Sequence, residues 1–309
     1  LRKKIVASLG SIIALVSLGF VGQQLFDNWH KVGDYSFTFE SVSVLLLGAI
    51  GYGGACLLLS SAWYQILAAL CPQALSAKAL RAIYARSQIA KYIPGNVMQL
   101  AGRHVMIRRL GVAHKPLAIA SLAEIIGLLS ASCTVALIGS ATFGLWTRYI
   151  DQKQLYYGLA GVVLLFLLLP VVRYICVTYI SASRNFLSNP RLQWAFIRAY
   201  LEYLLFFIVA GSLLVGLVYQ FHAELSIDNI AALIATFAIS WLAGFITPGA
   251  PSGIGIRETI LVVSLDKIFP GGQGVLIAIL FRIITVAGDV LFFSMVGKGA
   301  GNTAPSRAN

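Results

Sequence analysis

Charge is what this sequence has least of. Only 11% of its 309 residues are Asp, Glu, Lys or Arg, less than half of the roughly 25% found in soluble domains. Acidic groups are scarcer still, 11 against 23 Lys and Arg. So few charges cannot clothe a water-facing surface on a chain of this length, which excludes a soluble globular fold. Cysteine is sparse as well: Cys56, Cys71, Cys133 and Cys176 share no paired spacing, which reads as packing and not as a disulfide framework or a ligand set. No Gly-x4-Gly-Lys-Ser/Thr string occurs, so no ATP-driven motor is expected. Asp-rich and His-x4-Asp motifs are missing too, and neither a metal nor another cofactor is expected.

Apolar residues fill the space, at 59% of the chain and a mean hydropathy of +0.84. They come in blocks at 5–22, 41–70, 117–145, 155–172, 195–219 and 274–296, each near the ~20 residues needed to cross a bilayer. Two further stretches, 76–110 and 228–265, are apolar but broken by Pro and Gly. The first block opens like a signal peptide, with Arg2, Lys3 and Lys4, yet no small-x-small cleavage site follows, so a retained span is expected. The expected fold is therefore an all-α polytopic membrane protein, with six transmembrane helices and two re-entrant helical hairpins.

A net charge of +12 would suggest nucleic acid in a soluble protein. Here the basic residues are sorted by side of the membrane, so no nucleic-acid partner is expected. With the N-terminus in the cytoplasm, six spans leave 71–116, 173–194 and 297–309 inside as well. These inside segments carry 16 of the 23 basic residues and no acidic one. The outside segments hold Asp27, Asp34, Glu40, Asp151, Glu224, Asp228 and Asp266 against Lys31, Arg148, Lys153 and Lys267. That asymmetry fits one orientation: both termini cytoplasmic, in the inner (cytoplasmic) membrane of a bacterium or archaeon.

Shifted on itself by about 154 residues, the chain aligns with itself. Block 5–22 falls on 155–172, 41–70 on 195–219, and 117–145 on 274–296. The broken stretches coincide too. Tyr92-Ile93-Pro94-Gly95 with Arg103 overlays Ile246-Thr247-Pro248-Gly249 with Arg257, each Arg nine residues after its Pro. Residues 1–150 and 151–298 therefore read as two repeats, with hairpins at 76–110 and 228–265, followed by a flexible tail over 299–309. Three spans per repeat force the second to sit inverted, a recurring arrangement in secondary transporters, whose sites lie at broken helices. Irregular backbone at membrane depth must line protein or a wet cavity, so the breaks predict a polar cavity.

The second break contains Pro248, Gly249, Pro251, Ser252, Gly253 and Gly255, then Arg257 and Glu258. Prolines stop a helix and glycines allow positive φ and close approach; the restarting helix offers N–H groups to an anion, and Arg257 a bidentate partner for phosphate. The first break, around Pro94 and Gly95, supplies Tyr92, Asn96 and Gln99. On the helix before it, Lys78, Arg81, Tyr84, Gln88 and Lys91 share a face at the helical period, read as a cytoplasmic surface for anionic lipid heads. Arg86 falls among Leu80, Ile83, Ala90 and Ile93; a cation on that apolar face needs an internal partner. Arg103 occupies the position equivalent to Arg257. Inside the spans lie Glu124, Arg282 and Asp289, each costing about 2.5–3.5 kcal/mol at mid-membrane. Arg282 and Asp289 are seven residues apart and so about 10 Å along the axis, too far to neutralise one another. Glu124, Glu258 and Asp289 serve as static counter-ions or as proton carriers.

The string from Pro248 to Glu258, after a helix bearing Trp241 and Phe245, resembles the flippase region of the lysylphosphatidylglycerol synthase/flippase family, in the form of its stand-alone members without the synthase domain. Tyr92, Pro94, Gly95, Arg103, Glu124 and Arg282 are similar in order and spacing, and the likeness covers nearly the whole chain. It implies movement of aminoacylated phospholipid, or service to a lipid-linked sugar pathway. The sequence departs from the family's pattern in carrying Ala250-Pro251-Ser252 within the motif and no acidic residue shortly after Glu124. The 309 residues hold no soluble synthase domain, so lysyl transfer is not expected of them.

The leading expectation is a transporter for an anionic phospholipid or a polyprenyl-phosphate-linked sugar, with Arg86, Arg103, Arg257 and Arg282 on the phosphate and membrane lipid as the partner. Against it stand an integral-membrane glycosyltransferase and an accessory subunit serving envelope-glycan biosynthesis enzymes. The sequence leaves the oligomeric state open.

Overall fold

The structure, a computed structural model, describes residue 26 and residues 38–71, 76–92, 98–142, 189–222, 224–247, 250–269 and 273–300. The expected spans at 5–22 and 155–172, and the tail beyond residue 300, lie outside the described residues. Within them the chain is all-helical: α1 (Phe39–Leu70), α2 (Ala77–Ile89), α3 (Met98–Arg108), α4 (His114–Thr142), α5 (Pro190–Tyr219), α6 (Ile227–Ile246), α7 (Ile256–Ile268) and α8 (Gly274–Val296). Short 3₁₀ turns sit at Ala90–Tyr92, Pro251–Gly253 and Gly297–Ala300.

The helix starts follow local side-chain chemistry. Thr38, Ser76, Asn189 and Ser226 each accept a backbone N–H of the first turn, at 3.0–3.4 Å, filling donors that the helix itself cannot satisfy. Five helices, α1, α4, α5, α6 and α8, are long and apolar enough to cross a membrane, the pattern of a multi-pass membrane protein. Their outward faces carry Leu46, Leu47, Ile50, Ile126, Ile138, Leu201 and Leu205, all exposed, which suits lipid as the solvent. The helices α2, α3 and α7 have 13, 11 and 13 residues. At 1.5 Å per residue they fall well short of a ~30 Å hydrocarbon core. α6 differs from the sequence expectation: its 20 residues suffice to cross, whereas 228–265 had read as one interrupted segment.

α1 and α5 pack against each other at the centre. The remaining contacts obey an exchange of α1–α4 for α5–α8. α1 lies on α8 as α5 lies on α4, and α2 on α8 as α6 on α4. The neighbours α2–α3 and α3–α4 are matched by α6–α7 and α7–α8, and the turn after α2 touches the turn after α6. The core of the second half is aromatic and reaches the first half at Tyr52: Tyr52, Phe206, Phe207, Phe237 and Phe281 form a chain of edge and tilted contacts with centroids 5.3–6.5 Å apart. Polar bridges add to it, Glu202 of α5 accepting from Gln65 and Ser61 of α1 at 2.7 and 3.2 Å.

α1 and α8 approach through small residues, as membrane helices commonly do. A Cβ placed on Gly288 would sit 2.8 Å from the Ala49 carbonyl oxygen and 2.9 Å from Tyr52 Cβ. Backbone cannot yield without moving α1. Gly288→Ala is therefore expected to destabilise by about 1–3 kcal/mol, the usual cost of overpacking. Gly54→Ala, where an added Cβ meets nothing within 4 Å, should leave the melting temperature in detergent unchanged or slightly raised. Equal melting curves for the two variants would contradict this packing.

Candidate functional site

On α2, the helical period places Tyr84, Gln88 and Lys91 on one face, and that face turns into the bundle. Tyr84 is 1% exposed and Gln88 7%. The turn Ala90–Tyr92 carries the face on to α8. There Lys91 Nζ lies 2.6 Å from Asp289 Oδ2, and Tyr92 OH donates to the same oxygen at 2.6 Å. Cys56 of α1 directs its Sγ at Asp289 Oδ1 from 3.8 Å. α3 contributes Arg103, whose Nη1 donates to Glu124 Oε2 of α4 at 2.5 Å. Glu124 Oε1 accepts from Tyr84 OH at 2.8 Å, and Arg103 Nε donates to Ser87 Oγ at 3.1 Å. The guanidinium also lies over the rings of Tyr84 and Trp63, 3.8 and 4.9 Å from their centroids. Arg103 and Glu124 are 2% and 3% exposed. A pair buried this deeply needs further partners, and Ser87, Tyr84 and the two rings supply them.

The second arm is built from special backbone. Ser252, Gly253 and Gly255 have φ of 53°, 69° and 85°, a region that glycine enters freely and serine at a cost on the order of 1–2 kcal/mol. Gly253 lets this turn close on α6. A Cβ there would meet Gly244 Cα at 2.7 Å, and one on Gly244 would meet Arg257 Cγ at 2.7 Å and Nε at 2.8 Å. Arg257 thus leaves the first turn of α7 through a slot made by two glycines. Its neighbour Glu258 caps α7, accepting the Gly255 N–H on Oε2 at 2.7 Å. The other oxygen, Oε1, is 3.4 Å from Arg282 Nε of α8. Arg282 in turn stands 5.9 Å from the centroid of Tyr92, joining the two arms.

Between the arms lies a cavity of about 310 Å³, at the lower end of the ~300–1,000 Å³ typical of ligand sites. Tyr84 and Gln88 line it from α2, Lys91 from the turn after it, Gln99 and Arg103 from α3, Glu124 from α4, Trp241, Gly244 and Phe245 from α6, and Ser252, Gly253 and Arg257 from the second arm. A second pocket of about 20 Å³ shares Arg257 and reaches Ser240, Glu258, Arg282 and Thr285, space for a single water. Four cations and three carboxylates meet in this region. Lys91 pairs with Asp289, Arg103 with Glu124 and Arg282 with Glu258. Arg257 has no ion-pair partner among the described residues, and its buried Nε has no hydrogen-bond acceptor. It stands 5.7 Å from the centroid of the Trp241 ring. Among the described residues the site's cations thus outnumber its carboxylates by one, a balance that suits an anion.

No family model, curated protein or solved structure matches the chain.

Of the residues singled out in the sequence, Gln99, Arg103, Glu124, Ser252, Gly253 and Arg257 line the cavity. Tyr92, Gly255, Glu258, Arg282 and Asp289 stand one layer behind, and Pro251 opens the turn of the second arm. Pro94, Gly95, Asn96, Pro248 and Gly249 lie outside the described residues. Arg86 is placed elsewhere: it is exposed and donates from Nε to the Gly297 carbonyl at 2.7 Å, filling an orphan acceptor at the end of α8. The face of Tyr84, Gln88 and Lys91, expected to meet lipid heads, is corrected by the structure, which turns it inward; only Lys78 of that stripe is exposed. Residues the sequence did not offer are Tyr52, Phe206 and Gly244. Among the described residues no cluster of His, Cys, Asp and Glu could hold a metal.

Proposed function

We propose that the chain is a membrane lipid transporter of the flippase type, moving an anionic phospholipid or a polyprenyl-phosphate-linked sugar between leaflets. The observation that carries this reading is Arg257: a guanidinium without a carboxylate, facing a cavity where two interrupted helical arms meet. A phosphate entering that cavity supplies the missing counter-charge, while the lipid tails stay among the apolar outer faces of the bundle.

The exchange of α1–α4 for α5–α8 in the packing supports two repeats at 1–150 and 151–298. Their opposite orientation follows from the sequence, through the odd number of crossings in each. On this reading α2 with α3, and α6 with α7, are re-entrant hairpins dipping from opposite faces, the second reaching deeper because α6 is longer. The sorting of basic residues supports a cytoplasmic position for both ends of the given sequence. Among the described residues, Glu124, Glu258 and Asp289 each have both oxygens engaged by the protein, the seating of counter-ions.

Reconstitution tests the proposal. Vesicles containing the purified protein should expose their inner-leaflet pool of an acyl-labelled anionic phospholipid to an external quencher, and empty vesicles should not. Gly244→Ala, which pushes on Arg257 through Cγ and Nε and comes within 3.1 Å of Gly253 Cα, should slow this about tenfold or more, the scale of a misplaced binding group, with a melting temperature lowered by the crowding. Sugar transfer without lipid movement would replace the transport reading with the transferase one.

A further inference from the structure

Resting on that reading of the site, we infer which heads it accepts: a singly charged phosphodiester bearing a neutral, hydroxylated group, and not an aminoacylated one. The charge balance makes the first half of the case. An ammonium on the head would need a carboxylate, and none is open. Glu124 is held on one oxygen by Tyr84 and on the other by Arg103. Glu258 is divided between the Gly255 N–H and Arg282, and Asp289 between Lys91, Tyr92 and Cys56. Aromatic faces are the other habitual seat for an ammonium; the protein's own cations occupy two of those lining the cavity, and Tyr52 and Phe206 are packed edge to face on each other. Arg103 lies over Tyr84 and Arg257 over Trp241, while Phe245 stacks on Trp241 at 5.0 Å and 9°. A cationic head would enter a site that already holds one positive charge too many, and like charges repel.

The second half is the set of neutral polar groups. Ser252 is 8% exposed, lines the cavity, and its Oγ has no hydrogen-bond partner among the described residues. Gln88 and Gln99 present amides to the same space. An amide donates and accepts, and a hydroxyl does both through one atom, so these three match a polyol better than they match any ion. A buried serine oxygen left unpaired is costly, and a ligand hydroxyl relieves that cost. At about 310 Å³ the cavity holds one phosphate and one small head, not an oligosaccharide. Glycerol and a single sugar ring share this chemistry.

The test uses the full chain in nanodiscs and vesicles with four acyl-labelled probes: phosphatidylglycerol, a hexosyl-phosphoryl-polyprenol, lysyl-phosphatidylglycerol, and phosphatidylmethanol, a phosphodiester without hydroxyls. Binding is read by native mass spectrometry and movement by quenching. One of the first two should bind at least tenfold more tightly than both lysyl-phosphatidylglycerol and phosphatidylmethanol, and which of them does so names the lipid source. Gln88→Leu with Ser252→Ala should erase the preference over phosphatidylmethanol and leave the rejection of the lysylated lipid intact. Equal binding of the lysylated lipid overturns the inference while leaving transport standing. So does equal binding of phosphatidylmethanol by the unaltered protein, or binding of none of the four. The expected binding preference with no movement of any probe would uphold the inference and remove the transport reading.

Discussion

Arg257→Gln is expected to abolish lipid movement and to leave the protein as stable as before, or slightly more stable. The two halves of that expectation have one cause. Arg257 has no ion-pair partner among the described residues and its Nε is buried without an acceptor, so removing its charge strands no carboxylate. It relieves a desolvated cation, a case in which a neutral replacement is often favourable. The phosphate loses more. Two charge-assisted hydrogen bonds, at roughly 1.5–3 kcal/mol each, correspond to about a hundredfold or greater loss of binding. Arg257→Lys should recover only part, since an ammonium keeps the charge but not the planar fork. Glu258→Gln should also stop movement, by a different route. The amide oxygen can still accept the Gly255 N–H, but Arg282 loses its counter-ion and competes for the phosphate. Melting curves with quenching assays on the three variants check this. Normal movement by Arg257→Gln, or a collapse of its fold, would remove Arg257 from the site.

How much of this was legible in the sequence depended on whether the signal was local. The spans at 41–70, 117–145, 195–219 and 274–296 are continuous apolar runs, and each contains or forms a helix apolar enough to cross. The second arm was legible because Gly253 and Gly255 sit where positive φ is required, and glycine announces that in the sequence. Arg282 needs a partner at long range in the sequence, and Glu258, one of the three carboxylates expected as counter-ions, is that partner. Helical periodicity grouped Tyr84, Gln88 and Lys91 correctly but cannot say which way a face points. The clue passed over was that Tyr84 and Gln88 are neutral, an odd choice for a stripe meant to grip anionic heads. Arg86 shows the other limit. Leu80 and Ile83 on its face are indeed buried, yet the long side chain reaches past them to the Gly297 carbonyl, 211 positions along the chain, and no local pattern records such a partner. α6 ends at Ile246 and α7 begins at Ile256, on either side of the Pro and Gly residues that mark the break in the sequence; what the break does not tell is that the 20 residues before it suffice to cross.

Glu124→Ala is the second variant with a large expected effect, and its effect is on the fold. The substitution leaves Arg103, 2% exposed, without its carboxylate and Tyr84 OH without its acceptor. Breaking one side of a buried pair costs about 3–5 kcal/mol, a large part of the net stability of an ordinary domain, so low yield and a melting temperature many degrees lower are expected. Arg103→Met combined with Glu124→Leu should restore most of that loss, because an apolar pair of similar volume has no ions to desolvate. The double variant also bears on the two roles of Glu124. A static counter-ion exists for Arg103 alone, and once Arg103 is neutral the carboxylate has no further task. The double variant should then move lipid at a rate within a few-fold of the parent, Arg257 being untouched. If instead it folds well and moves nothing, the pair itself serves transport, through Arg103 on the phosphate or Glu124 as a proton carrier, and Glu124→Gln with Arg103 retained separates the two.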